Sequence, residues 1–285
     1  MPTVHLDDRA LIAVDGEDAE TFLQNIITTD LSQLGEDEAR PSALLSPQGK
    51  ILFDFLISRP DETRFVLDCR AALADDFVRR LMLYRLRAKV TIAKLSQALV
   101  AVSWGNDSSA SQTDSSLRDM RFPEAAKVLR HAALPLPPEN ASEAEWHALR
   151  IEHGVAESGP DYAAGDAFPH DVLLDENGGI GFKKGCYIGQ EVVSRMQHRG
   201  TARRRVMIAT GPLLASGTEI LADKRPIGAL GTVVGGTGLA IMRIDRVKDA
   251  LDAGGPITAG GAAIMLRIPP NAKYRFPEAA TAEEA

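Results

Sequence analysis

The pattern of apolar residues changes near residue 205, and that change limits the architecture more than any other feature of the chain. From 205 to 268, short β-like runs at 206–209, 219–221, 232–234, 240–242 and 263–268 are separated by glycine clusters. Short strands closed by tight turns read as a small barrel or sandwich, here a separate C-terminal domain. At 285 residues the chain has room for two domains, or three small ones.

Upstream, strand and helix patterns mix. Residues 10–14 read as a strand. Asp15-Gly16 follows, with Asp15 the expected cap of a helix whose apolar face is Ala19, Phe22, Leu23, Ile26 and Ile27. Ser46-Pro47-Gln48-Gly49-Lys50 reads as a tight turn into a strand over 51–58. That strand is apolar except for Asp54, which is either a candidate acid/base or an edge residue facing water. Residues 65–69 complete a hairpin, and Cys69 at its end reads as core. A helix is expected over 71–86, then strands over 89–92 and 99–104, together a small α+β unit. Residues 105–117 read as a mobile loop and 135–138 as a stiff proline linker. Ser142-Glu143-Ala144-Glu145 is a capping-box pattern opening a helix that stops at Gly154. The tail over 278–285 reads as frayed.

Acids outnumber bases 39 to 32, a formal charge of −7, which argues against wrapping a long duplex. Aromatics at 5% are too few for a broad stacking platform. The N-terminus lacks a signal-peptide pattern, and no apolar run approaches the ~18 residues of a membrane helix. With only Cys69 and Cys186, the chain can build neither a disulfide framework nor a four-thiolate centre. These features predict a soluble cytoplasmic protein that contacts neither nucleic acid nor membrane. The histidines show no paired metal-ligand spacing, so no metal site is expected, and His170 reads as a structural loop residue.

Chemistry concentrates in 183–205. Lys183, Lys184, Arg195, Arg199, Arg203, Arg204 and Arg205 stand against Glu191 alone. Charge by itself suits either a solvated basic loop or a site for a polyanionic ligand or acidic partner. Cys186 lies where a glycine-containing turn enters a helix starting near Gly189. A helix N-terminus and two lysines both favour thiolate. The plainer alternative is a buried, inert thiol, but polar neighbours on both sides favour the reactive one. Gln190 and Glu191 can bond a heterocycle edge, or Glu191 can serve only the helix N-terminus.

The run K-G-C-Y-I-G-Q-E at 184–191 resembles the signature of the YgfZ family, folate-binding relatives of the glycine-cleavage T-protein, an aminomethyltransferase. Other stretches agree: Leu6-Asp7-Asp8 with Phe22-Leu23-Gln24 and Thr29-Asp30, the run 48–55, Tyr84-Arg85-Leu86-Arg87-Ala88-Lys89-Val90, and Leu149-Arg150-Ile151-Glu152-His153-Gly154 with Gly159 and Asp161. The resemblance spans most of 5–250. It implies an α+β, three-domain T-protein-like ring around a tetrahydrofolate funnel, with a ferredoxin-like middle domain and a C-terminal β-barrel. The expected boundaries are 1–48 plus 140–203, 49–139, and 204–285. It implies Cys186 as the functional thiol, and Trp146, Lys184, Tyr187, Gln190, Glu191 and Arg195 as folate contacts. Arg9 stands where the family has a tryptophan; it is a further expected folate contact, able to stack on the pterin or pair with the glutamate tail, in a pocket that must differ there. Phe53-Asp54 matches a T-protein motif that carries two aspartates. The implied function is a tetrahydrofolate-binding accessory factor for assembly or repair of iron–sulfur proteins, with clients such as radical tRNA-modifying enzymes. A folate-dependent one-carbon transferase using Asp54, or a binding module with a structural thiol, are the alternatives.

Overall fold

The computed structural model describes residues 1–96, 99–105, 116–212 and 215–277. Its larger sheet has nine strands: β1 (Thr3–His5), β2 (Arg9–Asp15), β3 (Glu38–Leu45), β4 (Ile51–Asp61), β5 (Arg64–Arg70), β6 (Thr91–Lys94), β7 (Ala101–Ser103), β8 (Ser116–Asp119) and β9 (Leu129–His131). Their spatial order is β1-β7-β9-β8-β3-β4-β5-β2-β6. Two antiparallel groups meet at a parallel β3–β8 pair, Glu38 with Arg118 and Ala39 with Asp119. The long β3–β4 hairpin is the spine. Its turn is the predicted 46–50, with Gly49 at φ +79°. The boundary expected after residue 48 falls inside this turn, between two paired strands.

Helix α1 (Ala19–Gln24) is shorter than its apolar spacing suggests. Ile26 and Ile27 are buried beyond its end, and Ile27 bridges to Leu44. Asp15 does not cap it. Asp15 ends β2 and pairs with Arg64 at 3.4 Å, while Gly16 at φ +139° turns the chain. Helix α2 (Ala71–Arg85) packs Ala74, Phe77 and Leu81 on the sheet, with Phe77 stacked on Phe53 at 4.7 Å. The strand expected over 89–92 is shifted to β6. Most of the loop expected over 105–117, and the tail over 278–285, lie outside the described residues.

Helix α3 (Glu143–His153) carries the expected capping box: Ser142 Oγ accepts from the Glu145 N–H, and Glu145 accepts from the Ser142 N–H at 2.8 Å. Gly154 at φ +71° stops it. Helix α4 (Gln190–Arg199) begins after Gly189, as its sequence predicts.

The C-terminal unit is a seven-stranded sheet in the order β15-β14-β11-β12-β13-β10-β16. Its strands are β10 (Arg204–Thr210), β11 (Glu219–Ala222), β12 (Arg225–Val234), β13 (Thr237–Arg243), β14 (Ile257–Ala259), β15 (Ala262–Ala263) and β16 (Met265–Arg267). They enclose one apolar core that includes Met207, Ile220, Leu230 and Met242. Sequence reading missed helix α5 (Ile244–Asp252), whose Ile244, Val247 and Ala250 close that core at helical spacing.

Candidate functional site

Cys186 sits on a loop that is fastened on both sides. The Lys184 side chain runs inward, and its Nζ donates to the carbonyls of Ile27 at 2.8 Å and Thr29 at 2.7 Å. The Gly181 N–H donates to the Thr28 carbonyl, and Thr28 Oγ1 donates to the Gly179 carbonyl at 2.6 Å. Tyr187 is buried in a cluster with Leu45, Ile51 and Val193. Gly189, at φ +79°, lies so close to the 46–49 turn that a Cβ would stand 2.6 Å from the Ser46 carbonyl oxygen. Between these anchors Gly185 and Cys186 are exposed. Cys186 is free and exposed, so it is not the buried residue of the plainer alternative. Cys69 is the inert cysteine: burial pushes its thiol up to about 12.

Four of the seven bases of the stretch are engaged within the fold. Burial brings the Lys184 ammonium down to about 8, against the opposing pull of Asp30, so it anchors the loop and is not displayed to a ligand. Arg205 is buried and pairs with Asp175 at 2.8 Å. Arg204 pairs with Asp166 at 2.9 Å and faces Asp171 at 3.7 Å. Burial raises the Asp171 carboxyl to about 6. Arg195 pairs with Glu191 one turn away at 2.5 Å, and the Glu191 side chain is 82% exposed. Glu191 and Arg195 therefore form a pair on the exposed surface of the helix. Gln190 is half-buried at the helix start.

Arg9 and Asp54 meet elsewhere, in a cleft also lined by Arg121, His153, Tyr162 and Asn177. Asp54 is not an edge residue facing open water. Its carboxylate accepts from the Ser158 N–H at 3.2 Å and from the Ser158 hydroxyl. Burial, then the Asp54 charge, holds the Tyr162 phenol well above its ordinary range. Behind the cleft runs a chain of buried ion pairs. Arg9 donates to Asp68 at 2.7 Å, and Arg130 bridges Asp68 at 3.0 Å and Asp119 at 3.2 Å. Arg121 joins Asp119 at 2.7 Å to Glu157 at 2.8 Å. Arg150, fully buried, pairs with Asp161 at 3.0 Å and donates to Thr232 Oγ1 of β12 at 3.0 Å. Burial alone would raise the Glu157 carboxyl; Arg150 and Arg121, then Arg9 and Arg130, outweigh it and hold it well below the usual range.

The polar lining suits a heterocycle, since it offers both donors and acceptors. The enclosed volume, about 70 Å³, holds a few waters. Small-molecule pockets run from about 300 Å³ upward, so this conformation must open before a pterin ring fits.

Trp146 does not line this cleft. It is 1% exposed and packs with Val4, Val102 and Phe122 in the core of the first sheet. Its size and its place on an amphipathic helix already suit core. Tyr187 is likewise a packing residue. Sequence reading missed Asp68, Asp119, Arg121, Arg130, Glu157 and Tyr162. Asp68 carried the same signal as Asp54, a carboxylate inside an apolar strand. The arginines carried none: Arg130 meets its partners only across strands, and Arg121 joins Asp119, two residues before it, to the distant Glu157.

Two family models match the chain: the GCVT N-terminal domain over residues 7–122 and the CAF17 C-terminal beta-barrel domain over 203–274. An iron–sulfur cluster assembly factor IBA57 homolog from Chaetomium globosum is 32% identical, over 71% of this chain and 54% of that protein. The mouse IBA57 is 29% identical, over 86% of this chain and 78% of its own length. The chain spans about half the length of the fungal relatives it matches. A crystal structure of aminomethyltransferase T from Bartonella henselae matches with a TM-score of 0.73 at 17% identity, covering 97% of this chain and 88% of that one. The fold is thus the α+β, T-protein-like one with a C-terminal β-barrel domain. The expected cytoplasmic location is corrected: the relatives that match are named mitochondrial.

Proposed function

We propose that this chain is a YgfZ-type accessory factor for iron–sulfur proteins in which Cys186 is the working thiol. The observation that carries the reading is the placement of that thiol: exposed, on a loop pinned by Lys184 on one side and Tyr187 and Gly189 on the other. A thiol held this way can approach an iron or sulfur atom on another protein without the loop having to order first. Relatives named as iron–sulfur cluster assembly factors support the same class of role. One exposed cysteine supplies one ligand, so the cluster is cargo shared with a client that provides the rest. Radical enzymes that modify tRNA are among the proposed clients.

Tetrahydrofolate is the proposed ligand of the cleft, where it would supply a one-carbon carrier. Arg9, Asp54, Tyr162 and His153 are the residues there that can bond a pterin edge. A transferase reading keeps one observation in its favour: Asp54, the candidate acid/base, lines the same cleft.

The test is made in cells lacking the gene, restored with wild type, Cys186→Ser or Asp54→Asn. Activity of a [4Fe–4S] dehydratase and the level of tRNA methylthiolation are measured. The accessory-factor reading expects both to fall without the gene and to recover with wild type but not with Cys186→Ser. Full recovery with Cys186→Ser overturns it. Turnover of an aminomethyl donor with tetrahydrofolate, lost in Asp54→Asn, would establish the transferase instead. Titration of tetrahydrofolate by calorimetry, with wild type and Tyr162→Phe, tests the ligand separately.

A further inference from the structure

The C-terminal end of α2 carries features that neither the cleft nor the Cys186 loop explains. The helix buries Ala74, Phe77 and Leu81 against the sheet. Away from that face, Met82, Leu83 and Leu86 are 42, 69 and 87% exposed. Three of the eight exposed large apolar side chains among the described residues thus fall within five consecutive residues at the helix end, a patch and not scattered singles.

Leu86 is the least expected of them. It ends the helix at φ +45° and ψ −107°, a left-handed conformation that suits glycine and strains a branched side chain. The chain keeps a leucine there and exposes nearly all of it. Strain held at an exposed apolar position is better explained by use than by packing. Cations flank it. Arg79 and Lys89 are paired with Asp76 and Glu17. Arg80 and Arg87 are exposed and make no ion pair among the described residues.

We propose that this end of α2 docks an acidic protein partner, whose apolar pocket takes Leu83 and Leu86 while carboxylates on its rim meet Arg80 and Arg87. Charge selects this occupant. An anionic membrane would attract the two free arginines and repel a chain of net charge −7. A two-fold contact between copies would bring the same arginines into the interface twice, while the neighbouring acids Asp75, Asp76 and Glu17 are already paired with Lys94, Arg79 and Lys89. An acidic surface with an apolar pocket answers both parts of the patch. The site is independent of the Cys186 reading.

The experiment places a photo-crosslinking amino acid at Met82 in the full chain, in its own cells, and identifies adducts by mass spectrometry. The expected result is one discrete adduct whose crosslinked segment carries acidic and apolar residues. Its yield should fall at least about ten-fold, as for loss of interface anchors, in Leu86→Gly and in the double variant Arg80→Glu/Arg87→Glu. Leu86→Gly should melt no lower than wild type, since glycine relaxes the backbone there, so lost binding cannot be blamed on unfolding. Charge reversal of the partner segment should restore the double variant. An adduct unaffected by either variant, an adduct to a second copy of the chain, or no adduct overturns the proposal. So does flotation with phosphatidylglycerol-containing vesicles that the same variants abolish.

Discussion

The cleft and the Cys186 loop treat polar chemistry in opposite ways. Behind the cleft, arginines and carboxylates from β2, β5, β8, β9, α3 and the 157–161 segment are buried and paired end to end. On the loop, one thiol stands in solvent while the Lys184 charge beside it is spent on holding the loop. A buried ion chain adds little net stability over an apolar core, but removing one member strands its partner in low dielectric. The cleft is therefore intolerant and specific in shape. The loop asks little of the fold at position 186, so that residue is free to be chosen for reactivity.

Four variants or conditions test that contrast. Arg150→Met should do most damage. It leaves Asp161 and Glu157 short of a counter-charge and should cost about 3–5 kcal/mol, read as a lowered urea midpoint or as insoluble protein. A loss no greater than that of a surface variant would break the comparison. Acid should act next, on the same groups. Glu157 and Asp119 have folded values below their ordinary ones. Their stabilisation is complete above the usual carboxylate range near 4 and is lost as pH falls below it. Urea midpoints between pH 7 and 3 should fall more steeply for wild type than for Glu157→Gln.

Lys184→Met should cost about 1–3 kcal/mol, because the Ile27 and Thr29 carbonyls lose their donor. Its pH dependence sharpens the test. The folded ammonium titrates near 8 and the unfolded one near 10.5, so the unfolded chain binds more protons between those values. Wild-type stability should rise from pH 8 to 10.5 relative to the variant, and a flat difference would deny Lys184 its buried role. Cys186→Ser should have the smallest effect on stability, within about 0.5 kcal/mol, measured by the same denaturation, while removing client support.

Local patterns in the sequence revealed the local structure. The capping box at Ser142 and Glu145, the turn at 46–50, the α4 start after Gly189 and the glycine-punctuated strands of the C-terminal domain are set by residues close together in the chain. The cleft was only half legible. Asp54 betrayed itself by its polarity in an apolar strand, but Arg130 looks like an ordinary surface base until β8 and β9 bring it to Asp119, and nothing near Arg121 points to its distant partner Glu157. Lys184 misled for the same reason. A lysine beside a cysteine reads as electrostatic activation, yet its head lies under the 27–29 carbonyls. Trp146 read as a pocket residue by resemblance, and the packing of α3 on the first sheet placed it in the core.

The ion chain also sets an order for biosynthesis. Arg9, Asp68, Asp119, Arg121 and Arg130 leave the ribosome well before Glu157 and Asp161, and Thr232 of β12 follows still later. Until those acids emerge, Arg121 lacks its Glu157 partner, and Arg150 must wait for Asp161. Burying Arg121 with Asp119 as its only carboxylate, and Arg150 with none, would be costly, so the nascent first sheet has reason to stay hydrated while translation continues at about 5–20 residues per second. Its final closure thus falls due only when the 157–161 segment arrives, and the barrel strand that meets Arg150 completes it.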